Sequence, residues 1–138
     1  MESIHILGLG NMGKYVAYAI MRQRQRQQAA FAHLPPPTLL FHRPRLLAEW
    51  KSAGLSIQYS AMTNRGPVEG PRAEGFSVDL LDSSVTTRIR YLIVATKAHA
   101  TAAALTPLRH RLDGGSHVLF LQNGMGMVEP SCGLHYPV

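Results

Sequence analysis

Short runs of consecutive aliphatic residues recur along the chain, and stretches with helical spacing of apolar residues lie between them. Such runs are typical of strands buried in a parallel sheet. The predicted strands are residues 3–8, 38–41, 55–60, 76–81, 85–89, 90–95 and 117–122. Residues 61–75 are rich in Gly, Pro, Asn and Arg, so we expect an exposed loop there.

Helices are predicted between several of these strands. An apolar stripe with three- and four-residue spacing predicts a helix over residues 14–28. A short helix around Trp50 is expected to end near Gly54, and an alanine-rich helix is expected over residues 98–108. Because strands and helices alternate, the sequence predicts a three-layer α/β domain whose parallel sheet is covered by helices on both faces.

The composition fits one folded domain. The 138 residues are 46% hydrophobic and 16% charged, which excludes a disordered polyelectrolyte. The longest apolar run, residues 91–95, is far shorter than the roughly 20 residues that span a bilayer. No basic-then-apolar run is visible at the N-terminus, so we expect no secretory signal. Cys132 is the sole cysteine, so no intrachain disulfide can form. We therefore expect a cytoplasmic protein that does not bind membranes.

The chain is basic, with a formal net charge of +6. This charge suits an anionic partner such as a phosphate-bearing cofactor, although solvated basic surfaces produce the same balance. Arg22, Arg24 and Arg26 alternate with glutamine and lack interleaved aromatic residues that stack on bases, so we expect no nucleic-acid partner. The seven histidines show no metal-ligand spacing, and we expect no metal.

A glycine motif lies between the first predicted strand and the first predicted helix. Its residues, in the pattern G-x-G-x-x-G, are Gly8, Leu9, Gly10, Asn11, Met12 and Gly13. In this context Gly8 permits a tight turn, Gly10 lets the backbone approach a pyrophosphate, and Gly13 allows close packing of helix on strand. The free N–H groups at the helix start favour phosphates. The motif predicts dinucleotide binding by a Rossmann-type doubly wound sheet, with a merely structural turn as the alternative.

The end of the second predicted strand indicates which dinucleotide is bound. Sites that prefer NAD normally carry an acidic residue there, which holds the ribose hydroxyls. Here the strand is followed by Arg43 and Arg45, and the nearest downstream carboxylate is Glu49. A guanidinium can bind a 2′-phosphate through two parallel N–H bonds, so the sequence favours NADPH over NADH. The alternative is that both arginines cap surface loops.

Polar residues follow two more predicted strands. Lys97 comes shortly after the strand that ends at Ala95, and Asn123 follows the last strand. Ligands of open α/β sheets bind beyond the carboxyl ends of the strands, so we expect Arg43, Lys97 and Asn123 to lie at the same edge as the glycine turn. Lys97 could hold a phosphate or ribose, and Asn123 a carboxamide or a substrate oxygen. His99 is interpreted as a surface or packing residue.

Four segments with these residues occur together in one known enzyme family. They are Gly8–Gly13, Phe41-His42-Arg43-Pro44, Val94-Ala95-Thr96-Lys97-Ala98 and Leu121-Gln122-Asn123-Gly124-Met125-Gly126. The chain resembles the ketopantoate reductase (2-dehydropantoate 2-reductase) family over about residues 3 to 128. The resemblance implies NADPH-dependent reduction of 2-dehydropantoate to pantoate, a step in pantothenate biosynthesis.

The resemblance also implies roles for particular residues. The glycine turn would cradle the pyrophosphate of NADPH, and Arg43 would meet its 2′-phosphate. Lys97 and Asn123 would lie along the cofactor, with Asn123 also reaching the substrate.

Members of this family continue into a helical domain that supplies the proton-donating lysine and most substrate contacts. Residues 1–138 resemble the NADP-binding half alone. We therefore expect no catalytic residue in this chain and negligible turnover by the chain alone. Its expected partners are a keto-acid substrate and either a second copy of the chain or the missing domain.

Two other functions fit the same motifs. One is a catalytically silent NADPH-binding module. The other is a Rossmann reductase of the β-hydroxyacid dehydrogenase group, whose glycine loop is similar. The segments Thr96-Lys97-Ala98 and Gln122-Asn123-Gly124 favour ketopantoate reductase over that group.

Overall fold

The computed structural model describes residues 2–26, 33–82 and 84–122. The end of the predicted helix 14–28, Asn123 and Cys132 lie outside these ranges. The described elements are, in chain order, β1 (Ile4–Leu7), α1 (Asn11–Arg26), β2 (Thr38–Phe41), α2 (Pro44–Ser52), β3 (Ser56–Thr63), β4 (Gly66–Glu74), β5 (Ser77–Leu80), β6 (Tyr91–Val94), α3 (Thr101–Leu105) and β7 (His117–Phe120). Within those ranges no helix has the length and apolar character that a bilayer crossing demands.

Five strands form a parallel sheet in the order β5-β2-β1-β6-β7. Leu7 of the central strand β1 pairs with Leu40 of β2 on one side and with Val94 of β6 on the other. The chain thus builds one half of the sheet outward from β1 and later returns to build the other half. The predicted Rossmann-type α/β fold is confirmed, and its strand order switches at β1, where open α/β sheets bind their ligands.

Helices on the two faces bury different sets of strand residues. Ile6 and Leu39 pack on one face with Ala17 of α1 and Trp50 of α2. On the other face, the core contains Leu7, Leu40 and Val94 of the strands together with Leu105 and Leu108. Fully burying one such Leu or Ile side chain stabilises the fold by about 1.5–3 kcal/mol. The two cores hold the strand ends, and the loops that follow them, in fixed positions.

Residues 61–75 form part of a β-hairpin, so the expectation of an exposed loop is wrong. β3 extends to Thr63 and pairs antiparallel with β4. The turn between them closes at Gly66, where φ is +101° and the carbonyl accepts a hydrogen bond of 2.6 Å from the Thr63 hydroxyl. The Tyr18 hydroxyl of α1 donates a 2.9 Å hydrogen bond to the carbonyl of Pro71 in β4. This contact with a helix supports a strand whose own residues have little tendency to form one.

Two other sequence expectations are corrected between β5 and β7. Residues 85–89 form no strand; instead, the buried Ile89 donates its N–H to the carbonyl of Arg111 at 2.8 Å. The helix expected over residues 98–108 is divided into α3 and flanking 3₁₀ turns. The second turn contains Pro107, which lacks the N–H needed to continue the α-helical ladder.

Burial of His5 makes the stability of the fold depend on pH. Desolvation, followed by the charge of Arg111, lowers the pKa of this half-buried β1 histidine below its usual 6.5. The unfolded chain therefore binds a proton at higher pH than the folded chain does. This part of the stability is fully present well above pH 6.5 and is lost as the pH falls towards the pKa of the folded state.

We expect the free energy of unfolding to fall more steeply between about pH 7.5 and 5 in the wild type than in His5→Gln. Urea denaturation at several pH values measures both slopes. Equal slopes would contradict the lowered pKa of His5. The exposed His42 supplies the matched control, because His42→Gln is expected to retain the wild-type slope.

Candidate functional site

A cleft of about 780 Å³ opens at the carboxyl edge of the sheet. Residues following three adjacent strands line it: Gly8 and Gly10 after β1, Arg43 after β2, and Lys97 after β6. The cleft thus lies at the switch in strand order. The structure brings these separately predicted residues to one site, and its size falls within the usual range of ligand pockets, about 300–1,000 Å³.

The glycine turn is packed so tightly that two of its glycines have no room for a side chain. At Gly8, where φ is +92°, a Cβ would lie 2.6 Å from the backbone nitrogen of Thr96. At Gly13, a Cβ would lie 1.8 Å from the carbonyl oxygen of Gly8. These contacts hold β1, the start of α1 and the end of β6 against one another.

Gly10 differs from its neighbours because its missing side chain would face open space. A Cβ there would meet no atom within 4 Å among the described residues. Gly10 is exposed and lines the cleft, so its backbone is accessible to a ligand. Leu9 is half-buried, whereas Asn11 and Met12 are exposed.

Helix α1 begins at Asn11, three residues earlier than predicted, and points its amino end at the cleft. The N–H of Lys14 donates to the carbonyl of Gly10 at 3.0 Å, so Asn11, Met12 and Gly13 occupy the first turn, whose N–H groups have no acceptor within a helix. No acidic side chain lies in this turn. The amides and the positive end of the helix dipole together favour an anion.

Arg43 and Arg45 differ in the partners that their side chains have. Nε of Arg45 donates a 3.0 Å hydrogen bond to Oε1 of Glu49, one turn along α2. Arg43 is the exposed residue before α2; its extended backbone (φ −141°, ψ 137°) precedes Pro44, and its side chain makes no capping bond. Only Arg43 of the two lines the cleft. It is therefore the arginine positioned to meet a ligand.

Lys97 lies where β6 gives way to the first 3₁₀ turn, is exposed, and lines the cleft. Asn123, the fourth predicted contact, lies outside the described residues. His99 is exposed, in agreement with its interpretation as a surface residue. It also lines the cleft, which was not predicted.

A polar network behind the cleft was not foreseen from the sequence. The side chain of Gln122 contacts Thr96 and Thr101, and Thr101 is completely buried. A glutamine directly after a strand end was the available signal. The described residues contain no group of three or more His, Cys, Asp or Glu side chains that could hold a metal ion.

The chain is similar to a family of reductases in sequence. The family model described as ketopantoate reductase PanE/ApbA matches residues 4–135. The 2-dehydropantoate 2-reductase of Saccharomyces cerevisiae is 29% identical over 135 residues, which are 93% of this chain and 31% of the yeast protein. A probable 2-dehydropantoate 2-reductase of Schizosaccharomyces pombe is 47% identical over 49 residues, 36% of this chain and 14% of that protein. The chain thus aligns with less than a third of either relative.

The fold is also similar to that of a solved enzyme. The ternary structure of D-mandelate dehydrogenase with NADH and anilino(oxo)acetate superimposes with a TM-score of 0.57 and 22% identity. The match covers 96% of this chain and 38% of the dehydrogenase. At this identity the match supports the fold alone.

Proposed function

The chain belongs to the ketopantoate reductase family, and from this premise we propose that it binds NADPH in the cleft and forms the nucleotide-binding part of a 2-dehydropantoate 2-reductase. The observation that carries the proposal is the single cleft that the glycine turn, Arg43 and Lys97 line together. Each of these residues follows a different strand, and each supplies a group suited to a phosphate or a ribose.

The glycine turn fits the pyrophosphate of a dinucleotide. Gly10 leaves its backbone open on the cleft side, and Gly10 and Lys14, on either side of the first-turn amides of α1, both line the cleft. A phosphate there would accept hydrogen bonds from N–H groups that have no partner within the helix. The glycine turn, Leu9 and Met12 included, is thus proposed as the pyrophosphate site.

The two cations of the cleft have separate proposed roles. Arg43, after β2, is assigned to the 2′-phosphate, because a guanidinium binds a phosphate through paired N–H donors and the segment directly after β2, residues 42–45, has no acidic residue to hold ribose hydroxyls. Lys97, after β6, is proposed to contact a phosphate or a ribose elsewhere along the cofactor. Asn123 follows β7 in sequence and is proposed to contact both the nicotinamide end and the keto acid.

When bound, NADPH would supply the hydride that reduces the ketone. This chain's residues would hold the nucleotide and fix its orientation. Hydride transfer also needs the ketone to be held at near-attack distance. We expect residues 1–138 to bind NADPH but to turn over 2-dehydropantoate negligibly without the helical domain. Steady-state NADPH oxidation by the purified chain tests this, and substrate-dependent turnover would contradict it.

Replacing Arg43 tests the assignment of the cofactor. We expect Arg43→Ala to weaken NADPH binding by about 1.5–3 kcal/mol, or roughly 10- to 150-fold, and to leave NADH binding unchanged, because only NADPH carries the 2′-phosphate. Fluorescence titration with both nucleotides measures the two dissociation constants.

Arg45→Ala is the matched control for Arg43→Ala. It removes an arginine two positions away that does not line the cleft and whose ion pair with Glu49 is exposed to water, so both nucleotides should bind as to the wild type. Equal losses for NADPH and NADH in Arg43→Ala would refute the role of Arg43 in discrimination. Failure of the wild type to bind either nucleotide would refute the proposed function itself.

The two alternative functions concern the same cleft. The family match favours a ketopantoate reductase over the β-hydroxyacid dehydrogenase group. A catalytically silent NADPH-binding module would also show the nucleotide affinities expected above. It would differ in showing no 2-dehydropantoate reduction when the helical domain of a relative is fused or added to this chain.

A further inference from the structure

We propose that Gln122 is a positioning residue for the nucleotide cleft, which it supports from behind through Thr96 and Thr101. The inference rests on the proposed function, since it names a residue that shapes that same site. Gln122 does not line the cleft itself. Its effect would pass through the strand end that carries Lys97.

The side-chain amide of Gln122 continues the connection between β6 and β7 beyond their paired residues. The N–H of Leu121 donates to the carbonyl of Val94 at 2.9 Å, close to the ends of both strands. One residue farther along, Nε2 of Gln122 donates to the carbonyl of Thr96 at 2.8 Å. A side chain thus provides the bond between the two segments where the regular sheet has ended.

Thr101 extends this connection to the start of α3. Nε2 of Gln122 contacts the Thr101 hydroxyl as well as that of Thr96, the latter at 3.2 Å. The two threonine hydroxyls are 2.9 Å apart, and that of Thr101 donates to the carbonyl of Lys97 at 3.2 Å. Because Thr101 is completely buried, this network is shielded from competing water. It holds two successive backbone carbonyls, those of Thr96 and Lys97.

The segment held in this way forms a wall of the cleft and supports the glycine turn. Thr96 and Lys97 both line the cleft. The backbone of Thr96 also packs against Gly8 so closely that a Cβ on Gly8 would lie 2.6 Å from its nitrogen. A displacement of Thr96 would therefore disturb the proposed pyrophosphate turn and the position of Lys97 together.

The surroundings of Oε1 in the Gln122 amide indicate that the Nε2 donor is the important group. Oε1 is buried and has no hydrogen-bond partner within residues 2–26, 33–82 and 84–122. A buried acceptor without a partner does not favour folding. The contribution of Gln122 to this site thus comes from Nε2, and a carboxylate at this position, which cannot donate, would not replace it.

Nucleotide titrations of Gln122→Ala and Gln122→Glu test the inference. Both variants are expected to bind NADPH and NADH about tenfold more weakly than the wild type, with equal losses for the two nucleotides. The equal loss separates Gln122 from Arg43, whose replacement should affect NADPH alone. Titrations are run at a temperature where thermal unfolding shows every variant to be folded.

Three further variants separate positioning from a general loss of packing. Thr101→Val removes the buried hydroxyl and should lower the affinity for both nucleotides as Gln122→Ala does. Thr101→Ser keeps the hydroxyl and should bind both nucleotides as the wild type does. The control is Thr106→Ala, which removes the 2.8 Å hydrogen bond from an exposed threonine hydroxyl to the carbonyl of Ala102. This control should retain wild-type affinity for both nucleotides.

Amide hydrogen exchange without nucleotide gives a second readout. Gln122→Ala should speed exchange in the peptide that contains Thr96 and Thr101, whereas Thr106→Ala should not. Wild-type affinity in Gln122→Ala, or the same loss in Thr106→Ala, would overturn the inference. If the wild type binds neither nucleotide, the proposed function and the cofactor role of Gln122 are both refuted. Unchanged hydrogen exchange in Gln122→Ala would refute the proposed connection between the strands, whatever the nucleotide affinities are.

Discussion

Gly13→Ala is expected to destabilise the protein by about 3 kcal/mol or more. The new Cβ would lie 1.8 Å from the carbonyl oxygen of Gly8, far inside van der Waals contact. A flexible side chain could move away from such a contact, but the backbone of Gly8 is held between β1 and the end of β6. The helix must therefore move off the sheet, which separates Ala17 from Ile6 and Leu39.

Urea denaturation followed by circular dichroism measures this loss, and Gly10→Ala provides the matched control. A methyl group on Gly10 would meet no atom within 4 Å among the described residues, so the control should unfold close to the wild-type midpoint. It should nevertheless bind NADPH more weakly, because the methyl group occupies the side of the turn assigned to the pyrophosphate. Wild-type stability in Gly13→Ala would contradict the packing of the turn, and wild-type affinity in Gly10→Ala would contradict its proposed role.

The inner strands of the sheet were predictable because helices cover both of their faces, and their sequences are therefore mostly apolar runs. The strand at Thr38–Phe41 agrees with its predicted bounds, since all four residues are buried. β4 could not be found in this way. Its glycines and prolines are typical of turns, and most of its side chains are exposed. It is a strand because it pairs with β3 and because Tyr18 contacts it, and neither contact can be read from local sequence.

In the candidate site, too, some features could be predicted from the sequence and others depend on contacts between distant residues. The glycine turn, Arg43 and Lys97 could be placed together, because in a parallel sheet every strand's carboxyl end lies at one edge. The contact of Gln122 with Thr101 joins residues 21 positions apart and depends on how α3 sits against the sheet. That Arg43 rather than Arg45 lines the cleft likewise depends on where α2 begins and how it packs, since Arg45 lies on the helix and Arg43 precedes it.

Arg111 is a buried charge on the opposite side of the sheet from α1, and its role is to hold three segments together. Its guanidinium lies 2.9 Å from Oδ2 of Asp79 in β5, and its Nε donates to the carbonyl of Thr87 at 2.6 Å. Its own carbonyl accepts the N–H of Ile89. The arginine side chain is 2% exposed, whereas that of Asp79 is 22% exposed. Because water screens this ion pair so little, removing either Arg111 or Asp79 would leave an uncompensated charge and destabilise the fold.

Arg111→Ala is expected to cost about 3–5 kcal/mol, because it leaves a partly buried carboxylate and the carbonyl of Thr87 without their donor. Arg109→Ala, which removes an exposed arginine from the same 3₁₀ turn, should change stability by less than about 0.5 kcal/mol. A loss below about 1 kcal/mol in Arg111→Ala would contradict the buried network. NADPH affinity per folded molecule should be unchanged in both variants, since neither arginine lines the cleft. The prediction thus separates the part of the basic charge that stabilises the fold from the part proposed to bind the nucleotide.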